Sequence, residues 1–366
     1  MKSTALLLLA FICLACSSQN DDDAAAEVDT LYFPSLDQSA WETMTPTQLK
    51  WDDSKLQELY GFLEQNETRA FIVLKNGKMV VEKYWGKELQ GSNNFDQNSN
   101  WYWASAGKSL TAVLIGIAQE NENLNIDNQT SIYLGTNWSS MPIEKENLIT
   151  VRNHLTLTTG ADFTVPNLDC TTPGCILYLS DAGTQWYYHN ATYTILHQVL
   201  ESATNQTNNE FTTAALKSKT GMDGSWVSTN GFNEVFFSTP RSAARFGLLI
   251  LNKGTWAENE VLGDQNYFSS MTTASQPFNA SYGYLWWLNG KESVQFPLST
   301  NVIPSSVTPS APEDMISALG KNGQFIDVAP SQGLVVVRMG DSSNQEPVPI
   351  LFHEELWKRL YSITAN

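Results

Sequence analysis

Ser105-Ala106-Gly107-Lys108 is the only S-x-x-K in the chain. A serine hydroxyl is a poor nucleophile until a base takes its proton, and a lysine one turn further along the same helix face can be that base. The lysine must then be neutral, which burial near another cationic group achieves by lowering its pKa from about 10.4. A helix N-terminus at Ser105 adds a dipole that favours negative charge developing there. The same residues also fit a serine cap followed by a solvated lysine; the aromatic Trp101-Tyr102-Trp103 directly before them favours the chemical reading. Tyr188-His189-Asn190 is a second element, since a tyrosine held near an ammonium gains a depressed pKa and shuttles a proton, while an Asn side chain orients a substrate amide. Its bland alternative is aromatic packing of Trp186-Tyr187-Tyr188 with Asn190 capping the next helix. Lys321-Asn322-Gly323-Gln324 is the third: Lys321 offers charge to a substrate carboxylate, Gly323 permits close backbone approach, and Gln324 an N–H for an oxyanion. Asn-Gly is equally a turn pair, and both readings hold together.

Other chemistries fit less well. A nucleophile elbow, G-x-S-x-G, needs Gly two places before the serine, where Trp103 stands. His154 and His197 sit in apolar helical stretches and read as satisfied core residues, and His353 lies in the last helix. Without HExxH or paired Cys/His spacing, neither a metal nor any other cofactor is expected. The 366 residues carry 21 Lys plus Arg against 38 Asp plus Glu, a formal charge of −17, so nucleic acid is not expected as a partner.

The elements that must position these residues read as an α+β fold. A helix is predicted over Trp41–Asn66 from Leu49, Leu56, Leu59, Phe62 and Leu63. Strands over Arg69–Leu74 and Met79–Trp85 turn at Asn76-Gly77, a strong hairpin signal. Ser105–Gln119 and Pro240–Leu251 read as helices, Tyr284–Leu288, Met315–Leu319, Phe325–Val328 and Leu334–Met339 as strands, and Val348–Tyr361 as a closing helix. Antiparallel strands from both ends of the chain, flanked by N- and C-terminal helices, thus form a sheet domain over residues 41–104 plus 231–366. Residues 105–230 form an inserted, mainly helical subdomain.

Lys2 and the apolar run from Ala5 to Leu14 read as a signal peptide over residues 1–15, too short for a permanent span. Leu14-Ala15-Cys16 resembles the lipobox of bacterial lipoproteins, in which the cysteine is lipidated; an ordinary secretory cut nearby is the alternative. Residues 16–40, with the acidic triplet Asp21-Asp22-Asp23, read as a flexible tether. The expected location is therefore the bacterial cell envelope, anchored by lipid at the outer membrane on its periplasmic or surface face. In an exported chain, Cys170 and Cys175 around Pro173-Gly174 suggest a disulfide closing a small loop; the spacing does not support a metal pair.

In this order and spacing the three elements resemble the β-lactamase-like, penicillin-recognising serine hydrolases, most of all the class C branch with its esterases and 6-aminohexanoate-dimer hydrolases. The resemblance runs from about Trp51 to Tyr361. It rests on Trp103 to Thr111, a helix over Leu148–Gly160, Tyr188 to Asn190 with Tyr193 and Leu196, Ser238 to Leu248, Tyr282 to Trp287, and Ala318 to Gln324. Lys219-Thr220-Gly221 is a literal K-T-G in the wrong place, and Ser180-Asp181-Ala182 lacks the Asn of S-D-N. The resemblance implies an α+β, β-lactamase/transpeptidase-like fold. It makes Ser105 the acylated nucleophile, Lys108 its activating partner, Tyr188 the general base and acid, and Asn190 a substrate contact. The backbone N–H groups of Ser105 and Gln324 would form the oxyanion hole. Since Lys321-Asn322-Gly323 lacks the K-T-G hydroxyl, an ester, amide or short-peptide substrate is expected ahead of a β-lactam. Rival readings are a β-lactamase or D-amino-acid peptidase, a non-catalytic ligand-binding surface lipoprotein, and a penicillin sensor.

Overall fold

The computed structural model describes residues 31–37, 40–342 and 348–364. The signal segment and Cys16 lie outside them, as does most of the tether. The first helix, α1, is Asp53–Gln65, capped by the Asp52 carboxylate accepting the Lys55 N–H, and it buries Leu56, Leu59 and Leu63. Each such leucine contributes roughly 1.5–3 kcal/mol. The longer helix predicted from Trp41 does not form. Pro46 closes a turn by accepting the Trp51 N–H, Lys50 takes a left-handed φ of 57°, and Thr43 bridges to Met79 instead. These local turns satisfy the backbone that a helix would otherwise use.

The hairpin of β1 (Thr68–Lys75) and β2 (Lys78–Tyr84) turns at Asn76 (φ 48°) and Gly77 (φ 83°), two left-handed residues in a row as a tight hairpin requires. After a short strand β3 (Trp101–Tyr102), the central helix α2 is Gly107–Glu120, and α3 is Asn190–Thr204. Strands β4 (Ser225–Thr229) and β5 (Asn233–Ser238) pair with each other, and β5 with β3. Helix α4, Pro240–Leu251, starts with proline at a position where its missing N–H costs nothing. The chain then forms β6 (Trp287–Leu288), β7 (Ile316–Gly320), β8 (Gln324–Ala329), β9 (Leu334–Gly340) and the last helix α5 (Ile350–Thr364). Of the stretch predicted as strand from Tyr284, only Trp287 and Leu288 pair, because Leu285 turns the backbone at φ 60°. The helix expected over Leu148–Gly160 is shortened to Val151–Leu155, stopped by Leu157 at φ 56°.

The main sheet has the order β2-β1-β9-β8-β7-β6, antiparallel throughout. Alternation along β8 assigns its two faces. Phe325 meets Phe352 and His353 of α5, and Asp327 accepts from His353 and Trp357. Ile326, on the opposite face, lies under α4, where a Cβ on Gly247 would stand 2.4 Å from Val335 and 3.3 Å from Ile326. Phe62 of α1 stacks on Phe352, so α1 and α5 share one face and α4 covers the other. The architecture is α+β: an antiparallel sheet between helical layers, with α2 beside β7 and α3 packed against α2.

Candidate active site

Ser105 is placed by strands on both sides of it. The Trp103 backbone N–H donates to the Phe236 carbonyl and its indole N–H to Ser238 Oγ at 2.8 Å, which ties the segment to β5. From the other side, a Cβ on Gly320 would stand 2.4 Å from the Trp103 carbonyl oxygen and 3.0 Å from the Ala106 nitrogen. Only glycine lets β7 come this close. Between them Ala104 holds φ 48°, a left-handed conformation that costs a non-glycine residue about 1 kcal/mol and here turns the strand into the 3-10 turn that leads to α2.

Lys108, on the first turn of α2, is 3% exposed. Its Nζ donates to Ser105 Oγ at 3.1 Å and to Asn190 Oδ1 at 2.5 Å, and it lies 4.2 Å from the ring centre of Tyr193 and 5.1 Å from that of Tyr188. Burial brings its pKa down to about 7, with the charge of Asp169 pulling the other way. Tyr188 lines the same cleft as Ser105. Trp287 stacks on its ring at 6.0 Å and Tyr282 meets it edge-on, so the hydroxyl is rigidly aimed. Here the sequence expectation needs correcting. Burial pushes the Tyr188 hydroxyl up, not down, because a phenolate in this aromatic pocket would lose its hydration. In the resting site the lysine is the group that can be unprotonated.

Asn190 opens α3, with His189 as the cap residue. Its Oδ1 receives Lys108, and its Nδ2 donates to Asp169 Oδ1 at 2.7 Å and to Asn233 Oδ1 at 2.6 Å. A side chain expected to hold substrate is thus engaged by the protein itself. Asp169 directly precedes Cys170, the first half of the Cys170–Cys175 disulfide, which forms as expected. Asp169 and Asn233 carried no motif that a sequence pass would catch; the only signal for Asp169 was its place beside a paired cysteine.

Ser105, Lys108, Tyr188 and Asn190 share one cleft of about 550 Å³ with Lys321 and Asn322. Gly323 and Gln324 do not line it, which corrects the third element. A Cβ on Gly323 would run into the Arg338 guanidinium at 2.7 Å, on the side away from the cleft. The Gln324 side chain is buried and bonded to the Lys321 and Gly340 carbonyls and to the Gly340 N–H. The tight β7–β8 turn is the cause: Gly320 pairs directly with Gln324, so the chain has already reversed away from Ser105 at Gln324. Three of the four histidines, His154, His197 and His353, are structural. His154 bonds to Thr130 and the Thr192 carbonyl, His197 to Tyr193 and Thr111, and His353 to Asp327 and Thr308.

Residues 63–350 match the family model described as Beta-lactamase. An uncharacterized protein of Alkalihalophilus pseudofirmus is 22% identical over 303 residues, covering 75% of this chain and 83% of that one. Among solved structures, a β-lactamase candidate from Bacteroides dorei DSM 17855 superposes with a TM-score of 0.65 at 16% identity, covering 86% of this chain and all of the other. A family VIII carboxylesterase superposes at 0.63 with 12% identity, over 84% and 96% of the two chains. At these identities the superpositions speak for the fold alone. The family match spans most of the chain and takes in Ser105, Lys108, Tyr188 and β7 beside them: this chain belongs to the β-lactamase family.

Proposed function

We propose that the protein is a serine hydrolase that cleaves an ester or amide of a small molecule or short peptide through an acyl-enzyme on Ser105. The observation that carries this reading is a buried lysine, lowered to a pKa of about 7, 3.1 Å from a serine hydroxyl that opens into a cleft. Neutral Lys108 takes the hydroxyl proton as Ser105 Oγ attacks the carbonyl carbon. The tetrahedral oxyanion is held by the backbone N–H of Ser105 and by that of Lys321, which follows the strand residue touching the nucleophile's segment and replaces Gln324 in this role. When the bond to the leaving group breaks, Tyr188 gives its hydroxyl proton to the leaving oxygen or nitrogen and recovers one from the protonated Lys108. Water then repeats the sequence on the acyl-enzyme, releases the acid and restores Ser105.

The cleft is the size of a small-molecule site, and Leu168, Phe237, Pro297 and Leu298 on its wall suit an apolar acyl or amide substituent. The same proposal holds Cys16 to be lipidated after export, anchoring the enzyme in the cell envelope; loss of detergent-phase partitioning in Cys16→Ser would be the expected sign. For the hydrolase itself, the soluble domain is incubated with a fluorophosphonate and its intact mass measured beside Ser105→Ala. A single adduct in the wild type and none in the variant is expected. No adduct on folded wild-type protein would overturn the reading and leave a ligand-binding protein in its place.

A further inference from the structure

A buried ammonium needs a compensating charge, and the two bonds that Lys108 makes are to neutral oxygens, those of Ser105 and Asn190. The charged groups around it are few. Tyr188, Tyr193 and His197 face it from the α3 side, and burial keeps all three neutral at neutral pH. Glu234 on β5 and Lys321 after β7 line the same cleft without bonding to it. Asp169 is the carboxylate whose charge acts directly on Lys108, and it is joined to that lysine through a single amide.

The hydrogen bonds fix which way this amide points. Asn190 has acceptor oxygens, Asp169 Oδ1 and Asn233 Oδ1, on one side and the Lys108 ammonium on the other. Only one of its two flip orientations pairs all of these groups, and the reverse would turn N–H toward N–H. The loop that presents Asp169 is fixed in turn. The Asp169 N–H donates to Asn167 Oδ1, the Ala191 N–H of α3 donates to the Leu168 carbonyl at 2.7 Å, and the next residue is half of the Cys170–Cys175 disulfide. Carboxylate, amide and lysine therefore form a line that starts beside a covalently closed loop and ends on the nucleophile.

We propose that Asp169, held by the Cys170–Cys175 loop, is a positioning residue that acts through Asn190 to orient Lys108 and to supply its counter-charge. This rests on the hydrolase reading above and assigns the disulfide a part in the chemistry beyond fastening a loop. Because a carboxylate favours the charged form of a nearby lysine, removing it moves the proton-loss midpoint of Lys108 to lower pH. It also frees Asn190 to flip, which slows acylation where the base is already neutral.

The test is the rate of fluorophosphonate adduct formation on Ser105 against pH, a readout that needs no knowledge of the substrate. Asp169→Asn is expected to shift the acid limb down by about one pH unit and to lower the plateau roughly ten-fold, and Asp169→Glu to restore the limb in part. Should Asp169→Asn fail to fold, two other measurements carry the test. Reduction of the disulfide in the folded wild type is expected to move the limb in the same direction by a smaller amount. Asn233→Ala, which keeps the charge and removes the second acceptor, is expected to lower the plateau without moving the limb. A limb that stays in place in folded Asp169→Asn and in the reduced wild type overturns the proposal. So does an unchanged labelling profile with only the KM of a later-found substrate raised, since Asp169 would then be a substrate contact. Absence of any wild-type adduct would instead bring down the hydrolase reading itself.

Discussion

Arg338 in the sheet and Lys108 beside it are both buried cations, 1% and 3% exposed, yet they are treated in opposite ways. Arg338 uses all five of its N–H groups: one to Thr68 Oγ1, two to the Asn322 and Gly323 carbonyls, two to the Asn66 and Asp341 carbonyls. Its charge is saturated, and the result is a rivet joining α1's end, β1, β9 and the β7–β8 turn. Lys108 has two oxygen partners for three protons and no carboxylate touching it. A fully bonded cation stays a cation and holds structure; an under-bonded one gives up its proton near neutrality and can act as a base.

Removing each charge separates the two roles. We expect Lys108→Met to lower the Ser105 labelling rate by about 10³-fold, within the range for loss of a general base. The same variant should be more stable than the wild type at pH 6, by about 2–4 kcal/mol in urea unfolding, because a buried ammonium no longer has to be accommodated. With a folded pKa of about 7, well below the ordinary value for lysine, the native chain binds fewer protons than the unfolded one from pH 7 up to about 10.5. Wild-type stability should therefore rise with pH across that window relative to Lys108→Met, and the gap should close. A destabilised Lys108→Met would break the comparison.

Arg338→Met should do the reverse, destabilising the protein by about 3–5 kcal/mol in the same experiment, since it strands four buried carbonyls and a hydroxyl. A smaller effect comes from pH alone. Wild-type labelling should climb about ten-fold per unit below pH 7 and level off above it, as Lys108 loses its proton. A limb centred near pH 10 instead would mean an ordinary solvated lysine. Least affected, Gly320→Ala keeps every charge but puts a methyl group 2.4 Å from the Trp103 carbonyl oxygen; about a five-fold fall in labelling with unchanged pH dependence is expected. That outcome would show the sheet side setting the position of the nucleophile and the helical side setting its ionisation.

What could be read in advance follows the range of the forces involved. Asn76-Gly77, Pro240 and the S-x-x-K are local signals, and the hairpin, the start of α4 and the pairing of Ser105 with Lys108 appear where the sequence places them. Tyr188-His189-Asn190 stood out locally as a candidate beside a plain aromatic-packing alternative, and the β-lactamase resemblance decided between the two and supplied the roles. Long-range register was not legible. Which residues after β7 line the cleft is set by a three-residue turn: Lys321 and Asn322 line it, whereas Gly323 and Gln324 do not. Asp169 and Asn233 were invisible for a similar reason, as they meet Asn190 only because a loop and a strand far apart in the chain converge on α3.

The order of strands in the main sheet also sets a timetable. Strand β1 has β2 on one side within a few residues, but its other neighbour is β9, with Val73 opposite Val336. During synthesis at about 5–20 residues per second, the first hairpin waits on the order of tens of seconds before its inner edge can be covered. The central seam of the sheet closes last, so the nascent chain keeps the inner β1 edge open until the final strands arrive.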